Sequence, residues 1–320
     1  RNQGLDGRYT EIIRDGFPLY AGFSGGLGLL QIAPLDLKQV EVIKGSASTL
    51  YGGGAIAGLV NLVSRTPEKE RELNFLLNGT SALGLDASGF YSKKSGKAGT
   101  TIYAAFNHGT AYDPAEIGLT AIPEFNRFTF NPKLFLDLST RTSLTAGINT
   151  VIETRMGGDL DLVKGKVGPD NRYFETNRTG RYSSQLSLMH RLSETSGLSL
   201  KNSISYYDRK ISIPAYVFSG VQKASFTEAT YNHAGSRSDW VAGINFLTDR
   251  FNEDEPAGPD RDYSQNTSGA FIQNTWKPSA GFNLETGLRG DYHNDYGFFL
   301  LPRLSVLYKT GPVSMRLGGG

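Results

Sequence analysis

From Leu73 to the end of the chain, apolar and polar residues alternate with a period of two, in segments of about ten residues separated by turn signals. Segment 198–206 places Leu, Leu, Asn, Ile and Tyr on one face and Ser, Lys, Ser and Ser on the other. Segments 144–153 and 240–248 follow the same pattern. The alternation predicts β-strands with one apolar and one polar face, about twelve in all with the start of a thirteenth.

The connections between these segments differ at the two ends of the predicted sheet. Short turns are expected near residues 93–98, 138–141, 193–197, 234–239, 277–281 and 309–312. Longer or irregular connections are expected at 109–124, 155–176, 210–220, 251–262 and 293–297, whereas the first connection, near 79–83, is short. A transmembrane β-barrel has this asymmetry, and a ten-residue strand tilted by about 45° spans roughly 23 Å, close to the ~25 Å lipid-facing band.

Composition narrows the classes further. Mean hydropathy is −0.31, and no apolar run approaches the ~18 residues of a membrane helix, whereas barrel strands are apolar only at alternate positions. A net charge of +2 without a dense basic block gives no reason to expect nucleic acid binding. The absence of cysteine excludes disulfides, thiolate metal sites and cysteine nucleophiles from this chain. A soluble β-sandwich would also alternate, but many long strands with a Ser-, Thr-, Asn-, Gln- and Lys-rich face favour a barrel.

Residues 1–67 have a different texture, with many glycines and short apolar runs, and the charged stretch 68–72 follows them. We therefore predict two domains, at residues 1–67 and 68–320, with the charged stretch as a solvated linker. The chain starts with Arg1 and reaches its end just after a strand begins. It is accordingly expected to be an internal piece of a longer protein.

Residues 40–67 carry the most specific pattern, VEVIKGSASTLYGGGAIAGLVNLVSRTP. It predicts a short apolar strand, a turn, a run of small residues and glycines, and a second apolar strand. The spacing of Gly52, Gly54 and Ala57 also approximates a dinucleotide-binding fingerprint, which requires a helix next. Because a strand and a charged linker follow instead, we disfavour nucleotide binding.

This stretch resembles the C-terminal part of the plug domain of TonB-dependent outer-membrane receptors. The matching positions are Glu41, Lys44, Gly45, Tyr51, Gly52, Gly54, Gly58 and Asn61. Lys44 and Ser46 depart mildly from the family, which usually has Arg and often Pro there, and lysine lacks the planar fork of arginine. Upstream, residues 14–20 resemble the strand that enters the apical loop of the plug, here residues 21–31.

The resemblance implies an all-β transmembrane barrel of roughly 22 antiparallel strands, about 12 of them in this chain, with an N-terminal plug fragment. It implies a receptor in the bacterial outer membrane that actively imports a scarce, large nutrient, with a ferric siderophore or cobalamin-like chelate favoured. Its implied partners are TonB, the inner-membrane energising complex, outer-membrane lipid and the nutrient. A passive porin or adhesin-type barrel and a soluble β-rich carbohydrate-binding protein are the alternatives, and no enzyme or cofactor site is expected because no nucleophile elbow or paired carboxylates stand out.

Three groups of residues are candidates for function. The plug motif residues given above are expected to make structural and plug–barrel contacts. Ligand binding is predicted for the apical loop, at Tyr20, Phe23, Ser24, Leu27 and Gln31. Loop contacts to an anionic chelate are predicted for His108, Arg155, Lys164, Lys166, Arg172 and His293.

Other polar and aromatic clusters have plainer interpretations. The four histidines form no ligand pair, so haem is not favoured, and the acidic residues near 159–161 and 253–262 fit no Ca²⁺ loop and are predicted to be solvated. Aromatic residues near the predicted strand tops are expected to form an interfacial girdle. These are Tyr112, Phe125, Tyr173, Tyr216, Phe218, Phe298 and Phe299.

Overall fold

A computed structural model describes residues 10–19, 22–25, 31–32, 34–44, 48–55, 57–166, 172–254, 258–259 and 261–320. Two β-sheets lie within these residues, one of four strands near the N-terminus and one of thirteen strands that follows it. No helix among the described residues has the length and apolar character needed to cross a membrane.

The small sheet, which we call the plug sheet, has the strand order β2-β1-β4-β3. Strands β1 and β4 are parallel, and the other neighbours are antiparallel. Its elements are β1 (Thr10–Arg14), β2 (Phe17–Pro18), β3 (Leu37–Lys44), α1 (Ser48–Tyr51) and β4 (Gly58–Ser64), with 3₁₀ turns at Gly22–Gly25 and Gly53–Ala55. Ile13, Ala55 and Leu59 form its buried core, and Ile43 packs against them.

The large sheet is an antiparallel meander in which each strand pairs with its neighbours in sequence. Its strands are β5 (Glu72–Gly79), β6 (Leu85–Ser95), β7 (Ala98–Gly109), β8 (Glu124–Asp137), β9 (Thr142–Gly158), β10 (Phe174–Arg191), β11 (Ser196–Ile213), β12 (Tyr216–Ala234), β13 (Ser238–Glu253), β14 (Tyr263–Ser279), β15 (Phe282–His293), β16 (Gly297–Thr310) and β17 (Val313–Gly319). The prediction of about twelve strands and the start of a thirteenth is confirmed.

The strands are longer than the expected ten residues. Strands β9–β14 each span 16 to 19 residues. At ~3.3 Å per residue and a tilt of about 45°, an 18-residue strand rises roughly 42 Å, well beyond a ~25 Å lipid band. Strand pairing continues in water, where no apolar face is required, so the alternating pattern underestimates strand length.

The lengths of the connections at the two ends of the sheet differ less regularly than expected. At one end, here called the turn rim, all connections are short: 96–97, 138–141, 192–195, 235–237, 280–281 and 311–312. At the other end, the loop rim, residues 110–123, 159–173 and 254–262 form long connections, and α2 (Leu160–Val163) lies in the second. The long connection expected at 210–220 is wrong, because β11 and β12 meet at Pro214 and Ala215. The connection expected at 293–297 is found there, since residues 294–296 join β15 to β16.

The two faces of the large sheet follow the predicted alternation. Leu200, Ile204 and Phe246 are exposed on the outer face, whereas the inner face packs around the plug sheet. On the inner face, Phe90 and Tyr103 are almost fully buried, and plug residue Leu35 packs against them. The inner, largely polar face of the large sheet therefore holds the plug sheet inside its curve, through polar side chains as well as apolar contacts.

Candidate functional site

An aromatic collar surrounds Phe23, in the part of the apical loop that the structure describes. The ring of Phe23 lies 5.4 Å from that of Tyr207, 5.6 Å from Phe218 and 4.6 Å from Phe251, measured between centroids. Tyr263 stacks on Phe251, with 5.7 Å between the ring centroids. Edge-to-face and tilted aromatic pairs at these distances are attractive beyond the area they bury. The collar therefore attaches the apical loop to strands β11–β14 near the loop rim.

Hydrogen bonds from the same wall complete this attachment. Arg181 of β10 donates to the backbone oxygen of Ser24 at 2.8 Å and to Oε1 of Gln31 at 3.1 Å, and its guanidinium lies 4.3 Å from the ring centroid of Tyr207. The backbone N–H of Ser24 donates to Oε1 of Gln222 at 2.8 Å. Arg181 and Gln222 are buried, so these charge-assisted and neutral bonds are shielded from water.

The structure thus brings together Phe23, Ser24 and Gln31 from the predicted apical set, while Tyr20 and Leu27 lie outside the described residues. Sequence reasoning missed the partners that the wall supplies, namely Arg181, Tyr207, Gln222, Phe251 and Tyr263. A signal for one of them was present: Tyr207 continues the polar face of segment 198–206 and therefore points inward.

A second group of contacts anchors the plug sheet to β8. Nζ of Lys133 lies 2.5 Å from Oδ2 of Asp15 and 2.9 Å from Oγ of Ser64. Arg14 forms an ion pair with Asp36, and Asn131 donates to the same carboxylate at 3.1 Å. Burial alone would raise the pKa of Asp15, but the ammonium of Lys133 and hydrogen bonds from Ser64 outweigh it and hold the pKa below its ordinary value.

The glycine-rich plug motif forms a tight turn against β15. Gly52 has φ +83°, which favours glycine, and a Cβ there would lie 3.6 Å from the guanidinium of Arg289. Gly54 touches the carboxylate of Glu11, so a side chain would displace it. Because a four-residue helix and strand β4 surround this turn, the helix that a dinucleotide site needs is lacking among the described residues.

The polar members of the motif pair across the plug sheet. Glu41 accepts hydrogen bonds from Gln39 at 2.5 Å and from Asn61 at 2.9 Å. Tyr51 ends α1 beside the glycine turn, and Gly58 begins β4. Gly45 and the side chain of Lys44 lie outside the described residues. The described residues of the motif therefore shape the plug sheet and its contact with the wall.

Glu11 is a buried carboxyl beside this turn, and burial raises its pKa to about 7. A carboxyl whose pKa is raised in the folded state costs folding free energy once it ionises. The cost is absent below pH 4.5, the ordinary pKa of a glutamate side chain, and complete above about pH 7. Since one pKa unit corresponds to about 1.4 kcal/mol, the rise from 4.5 to about 7 is expected to cost about 3 kcal/mol of folding free energy at high pH.

Replacing Glu11 with glutamine is therefore expected to stabilise the plug at pH 8 and to leave it nearly unchanged at pH 4. The urea concentration that unfolds the plug, followed by a dye on Val40→Cys, measures this between pH 4 and 8. Glu41→Gln, which removes an exposed carboxylate from the same sheet, should keep the original pH dependence. Equal pH profiles for Glu11→Gln and the parent would contradict the expectation.

The basic residues in and next to the second long connection are largely paired with acids. Arg155 lies 2.9 Å from Glu153, Lys166 lies 2.8 Å from Asp161, and Arg172 lies 3.4 Å from Asp159. Lys164 ends α2 with its side chain exposed. The acidic residues predicted to be merely solvated thus offset much of the positive charge of this connection.

The two histidines named as loop contacts lie on opposite faces. His108 shares the outer face of β7 with Ile102 and Phe106 and pairs with Asn126 at 2.9 Å, so it points away from the plug. His293 lines a cavity on the inner face, beneath the apical loop. Of the two, His293 alone is placed to meet a molecule inside the sheet.

Several aromatic residues assigned to the outer girdle lie on the inner face instead, and Phe299 does so because it pairs directly with the buried, inward-facing Asp291. Phe218 belongs to the collar around Phe23. Phe125 lies between the guanidinium groups of Arg127 and Arg155, each 5.4 Å from its ring centroid. The assignment of these three to a girdle was wrong, because nearness to a strand end does not fix the face on which a side chain lies.

Comparison with known families accounts for this arrangement of an inner sheet within an outer one. The profile of the TonB-dependent receptor plug domain matches residues 2–59, and that of the TonB-dependent receptor-like β-barrel matches residues 129–318. The chain belongs to the TonB-dependent receptor family. The large sheet is thus part of an outer-membrane barrel, and the small sheet is part of its plug. The family consists of receptors and transporters.

Solved receptor structures share the fold at low sequence identity. The ferric enterobactin receptor PfeA of Pseudomonas aeruginosa, in a variant form, has a TM-score of 0.77 at 15% identity, covering 98% of this chain and 54% of its own. The siderophore receptor PirA of Acinetobacter baumannii has a TM-score of 0.77 at 17% identity, covering 99% and 53%. The copper transporter OprC has a TM-score of 0.78 at 14% identity, covering 98% and 55%.

A curated relative matches over a shorter region. The ferric aerobactin receptor of Klebsiella pneumoniae is 35% identical over 76 residues, which are 23% of this chain and 10% of that protein. The chain spans about half the length of the three receptor structures described above. The turn rim corresponds to the periplasmic side of such a barrel and the loop rim to the extracellular side.

Proposed function

We propose that this chain is the plug and the first part of the barrel of a receptor that imports a ferric siderophore, or a chelate of similar size, across the outer membrane. TonB and the inner-membrane energising complex would supply the energy by pulling on the plug, and lipid would surround the apolar outer face. The observation that carries this proposal is the apical loop held at the loop rim by the aromatic collar, where a molecule from outside would first meet the plug. We further propose that the domains divide at residues 67 and 68.

The residues proposed to contact the chelate are those that face the space inside the barrel. They are Ser24 and Gln31 of the apical loop and Arg155 and His293 of the wall. Lys164, an exposed lysine of the second long connection, is proposed as a further contact. Phe23 is proposed to act by holding the loop, because its ring is enclosed by the wall. Nothing in this role requires a covalent step, so we propose that the receptor has no enzymatic activity.

The cargo class is testable by growth in the source bacterium. A deletion strain carrying the full-length gene on a plasmid is expected to grow on ferric aerobactin or ferric enterobactin as the iron source, and to lose that growth without the plasmid. Cobalamin limitation provides the second arm, and rescue there alone would replace the siderophore with a cobalamin-like cargo. Rescue that persists when TonB is deleted would contradict active uptake and favour a passive porin.

Location distinguishes the remaining alternatives. The full-length protein is expected in the outer-membrane fraction, with heat-modifiable migration on a gel, as closed transmembrane barrels show. Recovery in the soluble fraction without heat-modifiable migration would favour a carbohydrate-binding β-protein instead.

A further inference from the structure

Two cavities lie one above the other between the plug sheet and strands β11–β15, and the upper one extends to β10. The upper one, of about 230 Å³, lies under Ser24 and reaches His293 at the loop rim. The lower one, of about 410 Å³, borders the glycine turn 52–54. Both are lined by Pro18, Phe226, Leu247 and Thr267. They therefore form one route that is narrowed at a single constriction.

The route covers most of the depth of the membrane. Along β13 the upper cavity borders Asp249 and the lower one borders Val241, eight residues further toward the turn rim. Eight residues of strand span about 26 Å, or roughly 19 Å of height at a tilt of about 45°. The lipid-facing band is about 25 Å tall.

The lining of the route suits a polar, charged cargo. Beside apolar side chains such as Phe226 and Leu247, the upper cavity is lined by hydroxyl and amide groups, from Ser183, Ser203, Ser205, Gln185, Gln222 and Gln265. In the lower cavity, Lys201 lies 3.9 Å from Glu228, Arg289 lies 2.7 Å from Asp291, and Glu11 faces them from the plug. Charges of both signs keep such a space hydrated and offer partners to a metal chelate in passage.

The opposite wall is built differently. Two smaller cavities there, of about 220 and 180 Å³, share no lining residue. The Lys133–Asp15 ion pair lines the 180 Å³ cavity, and within the plug Arg14 pairs with Asp36; the arginine, Asp36 and the lysine are largely buried. The 180 Å³ cavity meets the upper cavity of the route only at Gln185. Separating the plug from this wall would break the largely buried Lys133–Asp15 ion pair and the hydrogen bond from Asn131 to Asp36, which is costly.

The constriction of the route, in contrast, is formed by apolar contacts between the wall and β2, the shortest strand of the plug sheet. Strand β2 is an edge strand, joined to β1 through two residue pairs. Phe17 meets Phe226 edge to face at 6.3 Å, and Pro18 lines both cavities. A short edge strand opens at lower free energy than a paired central one.

We propose that cargo crosses the plug along this route, on the β11–β15 side, while the plug stays anchored to β8. The inference rests on the proposed function, to which it adds the path of the cargo and the residues that line it. Movement of β2 away from Phe226 would join the two cavities, and the Asp15–Lys133 and Asp36–Asn131 contacts would persist during transport.

Tethering the plug to each wall in turn tests the route in the full-length receptor. A Cβ at Gly287 would lie 3.0 Å from that of Thr49, which is shorter than the roughly 3.5–4.5 Å of a disulfide, so cysteines at these two positions can tie α1 to β15 at the foot of the route after a small outward shift. For the opposite wall, Asp36→Cys and Asn131→Cys, whose native side-chain atoms lie 3.1 Å apart, can be joined by a short bis-methanethiosulfonate. Uptake of radioactive iron bound to aerobactin or enterobactin is compared with and without the tether.

We expect the 49–287 tether to abolish uptake without weakening chelate binding, and its reduction to restore uptake. The 36–131 tether should leave uptake unchanged. Loss of uptake with both tethers would mean that the plug must detach as a whole, and loss with the 36–131 tether alone would place the route on the other wall. Either outcome, or uptake that survives the 49–287 tether, overturns the proposal.

Thiol labelling gives a measurement that needs neither tether nor a known cargo. In iron-starved cells, a water-soluble maleimide should label Thr267→Cys, at the constriction, faster than in cells treated with a protonophore. Thr129→Cys, buried on the opposite wall, should show no such difference. Equal labelling of Thr267→Cys in both kinds of cell, or energy-dependent labelling of Thr129→Cys, overturns the route. Failure of the unmodified parent to take up either chelate counts against the proposed cargo, and the labelling result still decides the path.

Discussion

Replacing Lys133 with methionine is expected to destabilise the plug by about 3 kcal/mol at neutral pH, at the lower end of the cost of breaking a buried ion pair. The substitution leaves the carboxylate of Asp15 without the ammonium that lies 2.5 Å from it. We choose the lower end because Asp15 keeps 27% of its side-chain surface exposed to water. The urea concentration that unfolds the plug in the full-length receptor measures the effect.

The pH dependence of this effect has a defined sign. The pKa of Asp15 lies below its ordinary value in the folded plug, so the ion pair contributes stability above pH 3.8 and loses it as pH falls through the folded pKa. The difference between Lys133→Met and the parent should therefore shrink in acid. A constant difference between pH 7 and 3 would show that lost packing, and not the ion pair, causes the destabilisation.

A second substitution provides the matched control. Asp15→Asn in the Lys133→Met background removes the unpaired charge and keeps an oxygen for the bond from the backbone N–H of Ser64, which is 2.8 Å long. Asparagine also tolerates the φ of +54° at this position. Most of the lost stability should return in the double variant, and no recovery would mean that Lys133 acts through other contacts.

Replacing Phe23 with alanine is expected to release the apical loop from the wall. Deletion of a core phenylalanine costs about 3–5 kcal/mol, and a half-buried ring in a collar of three aromatics should cost about 2 kcal/mol. Hydrogen exchange of the Ser24 amide, which donates to Gln222, should accelerate by roughly 30-fold. Chelate affinity should fall as well, because binding would have to order the loop again.

A double-mutant cycle tests whether the collar is the cause. Phe251, whose ring centroid lies 4.6 Å from that of Phe23, is the partner to replace with alanine. The two substitutions should be coupled by about 1 kcal/mol. Phe246→Ala, on the outer face of the same strand, should leave the exchange of Ser24 unchanged. Additive effects at positions 23 and 251 would show that the loop is held by the hydrogen bonds of Arg181 and Gln222 instead.

Much of the fold was predictable because the sequence patterns that produce it extend over only a few neighbouring residues. The alternation in residues 198–206 follows from a strand that has one apolar and one polar face, and the structure confirms which side chains face outward. The plug was recognisable because the turn at residues 52–54 needs glycines for close approach to neighbouring chain segments. Strand length was not predictable in the same way, since pairing continues into water where the alternation is no longer required.

The candidate site was predictable only on the plug side. Phe23, Ser24 and Gln31 were chosen from their position in the apical loop, whereas Arg181, Gln222 and Phe251 come from three different strands. In the sequence, 198 residues separate Ser24 from Gln222, and 150 separate Gln31 from Arg181. A sequence pattern that extends over a few residues does not show which residues so far apart will pair. The assignment of Phe125 and Phe218 to an outer girdle failed for a related reason, since it ignored the face set by strand parity.

The sequence by itself determined a β-barrel fragment with a plug, because period-two alternation and a glycine turn are imposed by the backbone and its immediate surroundings. The tertiary structure alone decided where the plug is held and where it is loosely packed. The Lys133–Asp15 ion pair and the hydrogen bond from Asn131 to Asp36 hold it to β8, whereas apolar contacts and two connected cavities lie toward β11–β15 below the apical loop. That difference depends on the register of strands far apart in sequence, which places each inward side chain at a given height on the wall.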